Sequence, residues 1–406
     1  MAKIVEPTIG ECIRELRRPR YTQVDLAVAA NVSVDVIRKL EQGRRLTASI
    51  GTLQRIARVL GVDVAALLGR ARPAATGQTQ EQAQVGAIRD ALTSIDDLIG
   101  GVDGEDVPTV AMLGRSVTYG WGAYWGGRYG LLAAMLPDLL VQSRAVLWDC
   151  PVTDRPRAVE LAAQVQSLTA CTLLRLDAPD LAHVAARESL RLSAGSEDPL
   201  LDAAMRCTLG CVLLRQGRFV DAQRLAVATA EDCQPRGDAG PAQLSVYGGL
   251  LLSGATAAAR EGRAGAAADL LAEASVVAGR SGVDRTDYEV VFGPSNVVMQ
   301  SVDVAVVTED FATAAEVARR MPRDSVLPLA ARSRHLTDVA HTQLRLGRTQ
   351  AAESTLLMME QAAPDWTAHH QLPRLLIGEL LTRGRPSSRL RALAERLDVR
   401  PGTRSR

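Results

Sequence analysis

Two groups of residues carry most of the chemistry open to this chain. The first is basic. Residues 1–72 hold thirteen Lys or Arg against seven Asp or Glu, about +6, while the whole chain stands at +1. A basic end on a mildly acidic body points to one end that meets a polyanion. Within it, "NVSVDVIRKLEQGRR" puts Val34, Asp35, Arg38 and Lys39 on the outward side of a short helix, with Val32, Ile37 and Leu40 inward. The second group is aromatic. "VTYGWGAYWGGRYG", residues 117–130, holds Tyr119, Trp121, Tyr124, Trp125 and Tyr129, five of only thirteen rings. Such a stretch is either a local core or a surface that grips a ligand. No nucleophile elbow, phosphate loop, zinc-protease motif or recognisable carboxylate pair occurs. The sequence therefore points away from an enzyme, and no cofactor or metal is expected. Six cysteines (Cys12, Cys150, Cys171, Cys207, Cys211, Cys233) lack CxxC spacing and read as small thiols, not as a disulfide framework.

The basic residues need helices to position them. "TIGECIRELRR" sets Ile9, Ile13 and Leu16 on one face. "TQVDLAVAANVSVDVIRKLEQG" reads as two short helices about a tight turn. Thr22 caps the first, and Ala27 is small where helix axes approach. Asn31 takes the left-handed turn, and Ser33 caps the second helix. "SIGTLQRIARVLGVDVAALLG" adds two amphipathic helices. Glu41 reads as structural, paired with Arg14 or Arg17.

In "TQVDLA", "NVSVDVIRKLEQGRR" and "TLQRIARVLGVDVAALL", residues 8–68 resemble the Cro/repressor-type (xenobiotic-response-element) helix-turn-helix family. They lack its usual Gly before Thr22 and at Asn31. The resemblance implies a five-helix DNA-binding domain over 1–70, whose second motif helix enters the major groove. On that basis Ser33, Val34, Asp35, Arg38 and Lys39 face DNA. Arg38 reads guanine, Asp35 accepts from cytosine N4, and Val34 packs on a thymine methyl. Gln23 touches a phosphate or an edge base, and Arg44 and Arg45 sit on the backbone.

A Pro-, Gly- and Gln-rich linker with one amphipathic helix spans 71–107, and 397–406 reads as a disordered tail. Between them, 108–396 repeats itself. Turn positions fall at Gly127, Asp177, Gly217, Gly262, Glu309, Gly347 and Gly384, spaced by 37 to 50 residues. Seven residues before the turn, five of seven positions are Gly or Ala, and five residues after it, five of seven are Ala. Small residues flanking a turn let antiparallel helices pack closely, and such pairs must stack to bury their apolar faces. The clearest unit, "LGCVLLRQGRFVDAQRLAVATAEDCQP", resembles a tetratricopeptide repeat with longer, irregular spacing. The expected fold is all-α: the helix-turn-helix domain followed by a tetratricopeptide-like α-solenoid of about six to seven helix pairs. Together with "FGPSNVVMQSVDVAV", the pairing is similar to actinobacterial-type transcription regulators and to peptide-sensing quorum regulators.

The repeat alignment places Trp121, Tyr124 and Trp125 on one helical face, which in such solenoids lines the concave groove. The alternative is that the linker helix folds back over them. Tyr119 and Tyr129 read as core. The same offsets give an arginine ladder, Arg175, Arg215, Arg260 and Arg345, whose forks either capture a carboxylate or phosphate or cap helix ends. Asn296, Met299, Asp303 and His341 share that face, and Asn296 is placed to bind an extended peptide backbone. No signal-like leader and no apolar run of roughly 18 residues is evident, so a cytoplasmic protein is expected. The sequence thus points to a DNA-binding transcription regulator. It would act as a homodimer on an inverted-repeat operator in double-stranded DNA, and its solenoid would sense a peptide or small-molecule effector. The alternative is a DNA-tethered scaffold whose solenoid binds another protein.

Overall fold

The computed structural model describes residues 8–18, 20–45, 48–60, 62, 64–67, 80–95, 107–383 and 386–399. Most of the linker, the Gly384 turn and the C-terminal tail from residue 400 lie outside them. The fold is all-α apart from one short hairpin.

Five helices form the N-terminal domain: α1 (Ile9–Arg17), α2 (Gln23–Ala29), α3 (Val34–Glu41), α4 (Ile50–Leu60) and α5 (Val64–Leu67). Thr8 and Thr22 each close a capping box, with Glu11 and Asp25 respectively. Asn31 turns the chain at φ 50°. Ile13, Leu26, Ile37, Leu40, Leu53, Ile56 and Leu67 are buried in one core. Ala27 is buried as expected, but the tightest approach is at Gly10, where a Cβ would lie 1.9 Å from the Leu40 carbonyl oxygen.

Helix α6 (Gln80–Leu92) lies against the first repeat, with Ile88 buried and Arg144 donating to the Ala91 carbonyl at 2.7 Å. The repeats then run as helix pairs: α7 (Val110–Trp125) with α8 (Tyr129–Asp149), α9 (Arg155–Arg175) with α10 (Pro179–Ser193), α11 (Pro199–Arg215) with α12 (Phe219–Asp232), and α13 (Pro241–Glu261) with α14 (Ala264–Ser281). After the hairpin β1 (Arg285–Asp287) and β2 (Val290–Phe292) come α15 (Pro294–Val307) with α16 (Phe311–Ala318), then α17 (Leu329–Arg345) with α18 (Thr349–Ala362). Helices α19 (Pro364–His369), α20 (Gln371–Thr382) and α21 (Ser388–Arg396) end the described chain.

All six described turn positions are left-handed, including the non-glycines Asp177 at φ 56° and Glu309 at φ 63°. The residues five positions beyond them, Leu132, Ala182, Ala222, Ala267, Ala314 and Ala352, have no exposed surface. Small side chains there let successive helices meet, as the spacing required.

Three features depart from the sequence reading. Helix α8 is long and apolar enough, by length and composition, to cross a membrane; here it packs against α6, α7 and α9 and carries Pro137 in its interior. The hairpin was not anticipated. Finally, the superhelix closes on itself: α7 meets α17, α8 meets α19, and a Cβ on Gly127 would lie 3.0 Å from Trp366.

Candidate nucleic-acid interface and repeat interior

Helix α3 is anchored from behind. Glu41, with its side chain 2% exposed, accepts Arg17 Nε at 2.6 Å and Arg17 Nη2 at 2.9 Å. Gln23 Nε2 also donates to it at 2.7 Å, and Arg14 donates to the Glu41 carbonyl at 2.7 Å. Burial raises the Glu41 pKa, but the Arg17 and Gln23 hydrogen bonds and the Arg14 and Arg17 charges outweigh it and leave the carboxyl below its usual range. Gln23, expected at DNA, here holds Glu41 through Nε2.

The front of α3 is open. Ser33, Asp35, Arg38, Lys39 and Arg44 are exposed, and Val34 is half-buried. The Ser33 oxygen accepts from the Asp35 backbone N–H at 3.2 Å, which leaves its hydroxyl proton free to donate. Lys39 and Asp35 form an exposed ion pair at 2.6 Å, and the Lys39 hydrogen bond leads the effects that lower the Asp35 pKa. Arg38, one turn from Asp35 and next to Lys39, is exposed beside this pair.

Arg45 is placed differently from its expected seat on a phosphate. It pairs with Glu309, a turn residue of the repeat domain. Helix α4 extends this contact. Gln54 donates to the Arg215 carbonyl at 2.9 Å, Arg55 to the Arg260 carbonyl, and Arg58 lies over the Phe219 ring at 5.4 Å. Asn31 Nδ2 stands 3.6 Å from where a Gly262 Cβ would be, and Arg58 Nη2 stands 3.1 Å from that of Gly217. Three successive repeat turns, Gly217, Gly262 and Glu309, therefore form the seat of the helix-turn-helix domain. Sequence reasoning missed Gln54, Arg55 and Arg58. Their only signal was polar residues on a helix otherwise buried all round.

The concave face is occupied by the chain itself. Phe292 and Val290 fill the space over Gly248 and Gly249, where added Cβ atoms would come within 2.1 and 2.2 Å of them. The Tyr288 hydroxyl donates to Asp198 at 2.6 Å, and Ser245 donates to Asp287 at 2.6 Å. Asn296 does grip an extended backbone, but its partner is the Val291 carbonyl. Met299 is buried against Val291, Leu327 and Ala331.

The ring cluster is corrected accordingly. Trp121 and Tyr124 are 4% and 6% exposed, so neither presents a face to an open groove. They pack edge to face at 5.5 Å, Trp125 stacks near Trp121 at 6.5 Å, and Trp125 Nε1 donates to Glu289 of the hairpin at 2.7 Å. The cover is the hairpin and the closing helices rather than the linker helix. Tyr129 is core, but Tyr119 is 52% exposed, with the Arg128 guanidinium over its ring at 5.7 Å.

Each rung of the arginine ladder is also engaged. Arg175 donates to the Tyr124 hydroxyl at 3.1 Å and lies 3.3 Å from His370 Nε2. Arg215 pairs with Asp177 at 2.9 Å, and Arg260 approaches Asp303 at 3.8 Å. Arg345 holds Glu379 with both nitrogens at 2.7 and 2.9 Å and donates through Nε to His341 at 3.1 Å. Three of the four rungs, Arg215, Arg260 and Arg345, meet carboxylates of their own chain, while Arg175 holds a phenol and an imidazole. Arg334 and Asp338, one helical turn apart and unremarked in the sequence, complete the network. Arg334 meets Asp303 at 3.0 Å, while burial and then Asp303 raise the Asp338 pKa to about 8. Cys171, Cys207 and Cys211 are neighbours, and Cys211 is exposed. The Cys207 hydrogen bond lowers the Cys211 pKa most; desolvation opposes it, and the Arg175, Arg334 and Arg260 charges help to bring it to about 7.

Residues 8–71 match the helix-turn-helix domain family, over the five-helix domain whose α3 stands open to solvent. No curated protein and no solved structure matches the chain. Among the described residues no cluster of His, Cys, Asp or Glu could hold a metal ion.

Proposed function

We propose that this protein is a Cro/repressor-type transcription regulator of the actinobacterial kind, cytoplasmic and without enzymatic activity. It acts as a homodimer on an inverted-repeat operator. Its tetratricopeptide-like repeats sense a peptide or small-molecule effector. Support for the DNA-reading part comes from the helix-turn-helix match and the exposed face of α3. Arg38 is the principal base-reading residue, with Asp35, Val34, Ser33 and Lys39 beside it.

The observation that carries the sensing part is the seat of that domain on three successive repeat turns. Each repeat of a solenoid contacts mainly its neighbours, so its pitch changes by small rotations summed over repeats. A rigid domain spanning three turns fits one pitch. An effector that binds one pitch better shifts the population, and with it the docking of the DNA-reading domain. The concave interior has the chemistry for a peptide or a carboxylated small molecule: an amide that grips extended backbone, and guanidinium forks. In the present state the hairpin and the chain's own acids occupy these groups, and an effector competes with them. An interior already filled by the hairpin leaves room for a small effector rather than a protein partner.

Glu309→Gln tests the coupling. Removing that charge loosens the hold of the repeat turn on Arg45, which can then turn to a phosphate. DNA affinity is expected to rise severalfold, and the slope of log affinity against log salt to steepen by about 0.9 per protomer. Nitrocellulose-filter or anisotropy titrations at several salt concentrations measure both. An unchanged slope would mean that the Glu309 contact does not restrain the DNA-binding surface.

A further inference from the structure

The α15–α16 pair is truncated. Helix α16 has 8 residues, roughly 12 Å at 1.5 Å per residue, whereas α17 beside it has 17, roughly 25 Å. The corresponding second helices α12, α14 and α18 have 14, 18 and 14 residues. Beyond Ala318 the chain crosses α17 as irregular segment 319–328, in which Pro322 and Pro328 oppose helix. A cleft of about 470 Å³ remains along α17.

Its lining divides cleanly. Ala315, Ala318, Met321, Leu336, Val339 and Leu346 give it an apolar floor. Arg319, Arg323, Arg332 and Arg348 line it with four guanidiniums, and no Asp or Glu lines it. These four are exposed, and none has an ion pair or a side-chain hydrogen bond with another described residue. Two buried side chains in the wall, His335 at 6% and Thr342 at 2% exposure, each carry a polar atom without a partner, Nδ1 and Oγ1. Buried polar atoms are rarely left unpaired, and a bound group that pairs with them removes a real penalty. Burial lowers the His335 pKa to about 4, so this imidazole is neutral near pH 7. On α17, the cleft residues lie on a different face from Arg334, Asp338, His341 and Arg345, which belong to the concave interior.

We propose that this cleft is a second binding site, for an amphipathic anion: a carboxylate or phosphate head held by the guanidiniums on an apolar body laid along α17. Guanidinium forks bind such heads through two parallel hydrogen bonds. An apolar floor with a few convergent polar groups is the usual form of a small-molecule site. The site is independent of the concave interior and of any effector bound there.

The probe is 8-anilinonaphthalene-1-sulfonate, an anion on a flat apolar body whose fluorescence rises on leaving water. Full-length protein is expected to bind it saturably. Decanoate or decyl phosphate is expected to displace it, while decylamine and inorganic phosphate at equal concentration are not. Arg323→Ala combined with Arg332→Ala alters only exposed side chains and is expected to weaken binding at least tenfold. Val339→Trp, which fills the cleft, is expected to abolish it, with circular dichroism confirming the fold. Unchanged probe affinity in the double-arginine variant would overturn the proposal, as would equal displacement by decylamine or by phosphate alone. If Val339→Trp fails to fold, the double-arginine variant decides.

Discussion

Glu41→Ala is expected to cost the helix-turn-helix domain about 3–5 kcal/mol, the range for removing one partner of a buried ion pair. Arg17 would lose both of its carboxylate hydrogen bonds, and Gln23 would lose its acceptor. The loss falls on the contact that ties α1 to the end of α3, so DNA binding should fail together with stability. The pH dependence follows from the direction of the shift. The folded pKa of Glu41 lies below its usual value, so the folded state holds the carboxylate in preference to the acid. Its contribution is fully present above the unfolded pKa, about 4.3. It is lost as pH falls through the folded value. Urea denaturation of the wild type and the variant at pH 7 and pH 3 checks both points: a gap of several kcal/mol at pH 7 should shrink in acid. A variant as stable as the wild type at pH 7 would mean that the Arg17 side chain is free to turn to solvent.

Trp121→Ala is expected to cost about 3–5 kcal/mol of repeat-domain stability, the usual penalty for truncating a buried aromatic. Trp121 packs on Tyr124 and Trp125, and these connect to the hairpin and to the closing helices, so the loss should loosen the junction between the first and last repeats. Trp121→Phe should be milder, because the indole N–H is buried without a partner and its removal relieves a penalty. Denaturant midpoints, with slopes unchanged between variants, measure this. Had the ring lined an open groove, Trp121→Ala would leave the midpoint nearly unmoved and weaken effector binding alone.

How legible these features were in the sequence depended on how local their causes are. The repeat turns could be read because each is set by a few adjacent residues: a left-handed position with small residues at fixed distances on either side. Even Asp177 and Glu309, with no glycine, take that conformation. The caps at Thr22 and Ser33 and the Asn31 turn are equally local. The occupancy of the concave face was not legible. It depends on Gly248 and Gly249 opening space for Phe292 and Val290, and on Trp366 meeting Gly127 across the ring of repeats. Periodicity assigns Trp121, Tyr124, Asn296 and the ladder arginines to one shared face, but it carries no information about what else lies there. Arg45 shows the same limit. Its charge is local, whereas its partner Glu309 belongs to another domain.

Selecting duplex DNA from a random pool with the full-length protein, then titrating the selected sites, shows directly whether α3 reads sequence. The expected product is an inverted repeat whose half-site centres lie about 10–10.5 base pairs apart, or a multiple of that. Affinity for it should fall by several orders of magnitude between roughly 50 and 200 mM salt, as expected for a dimer making about 6–10 phosphate contacts. Arg38→Ala should cost about 1–3 kcal/mol and relax preference at one position of each half-site only. A pool with no enriched sequence, or an Arg38→Ala protein weakened equally on every sequence, would contradict a base-reading role for this helix.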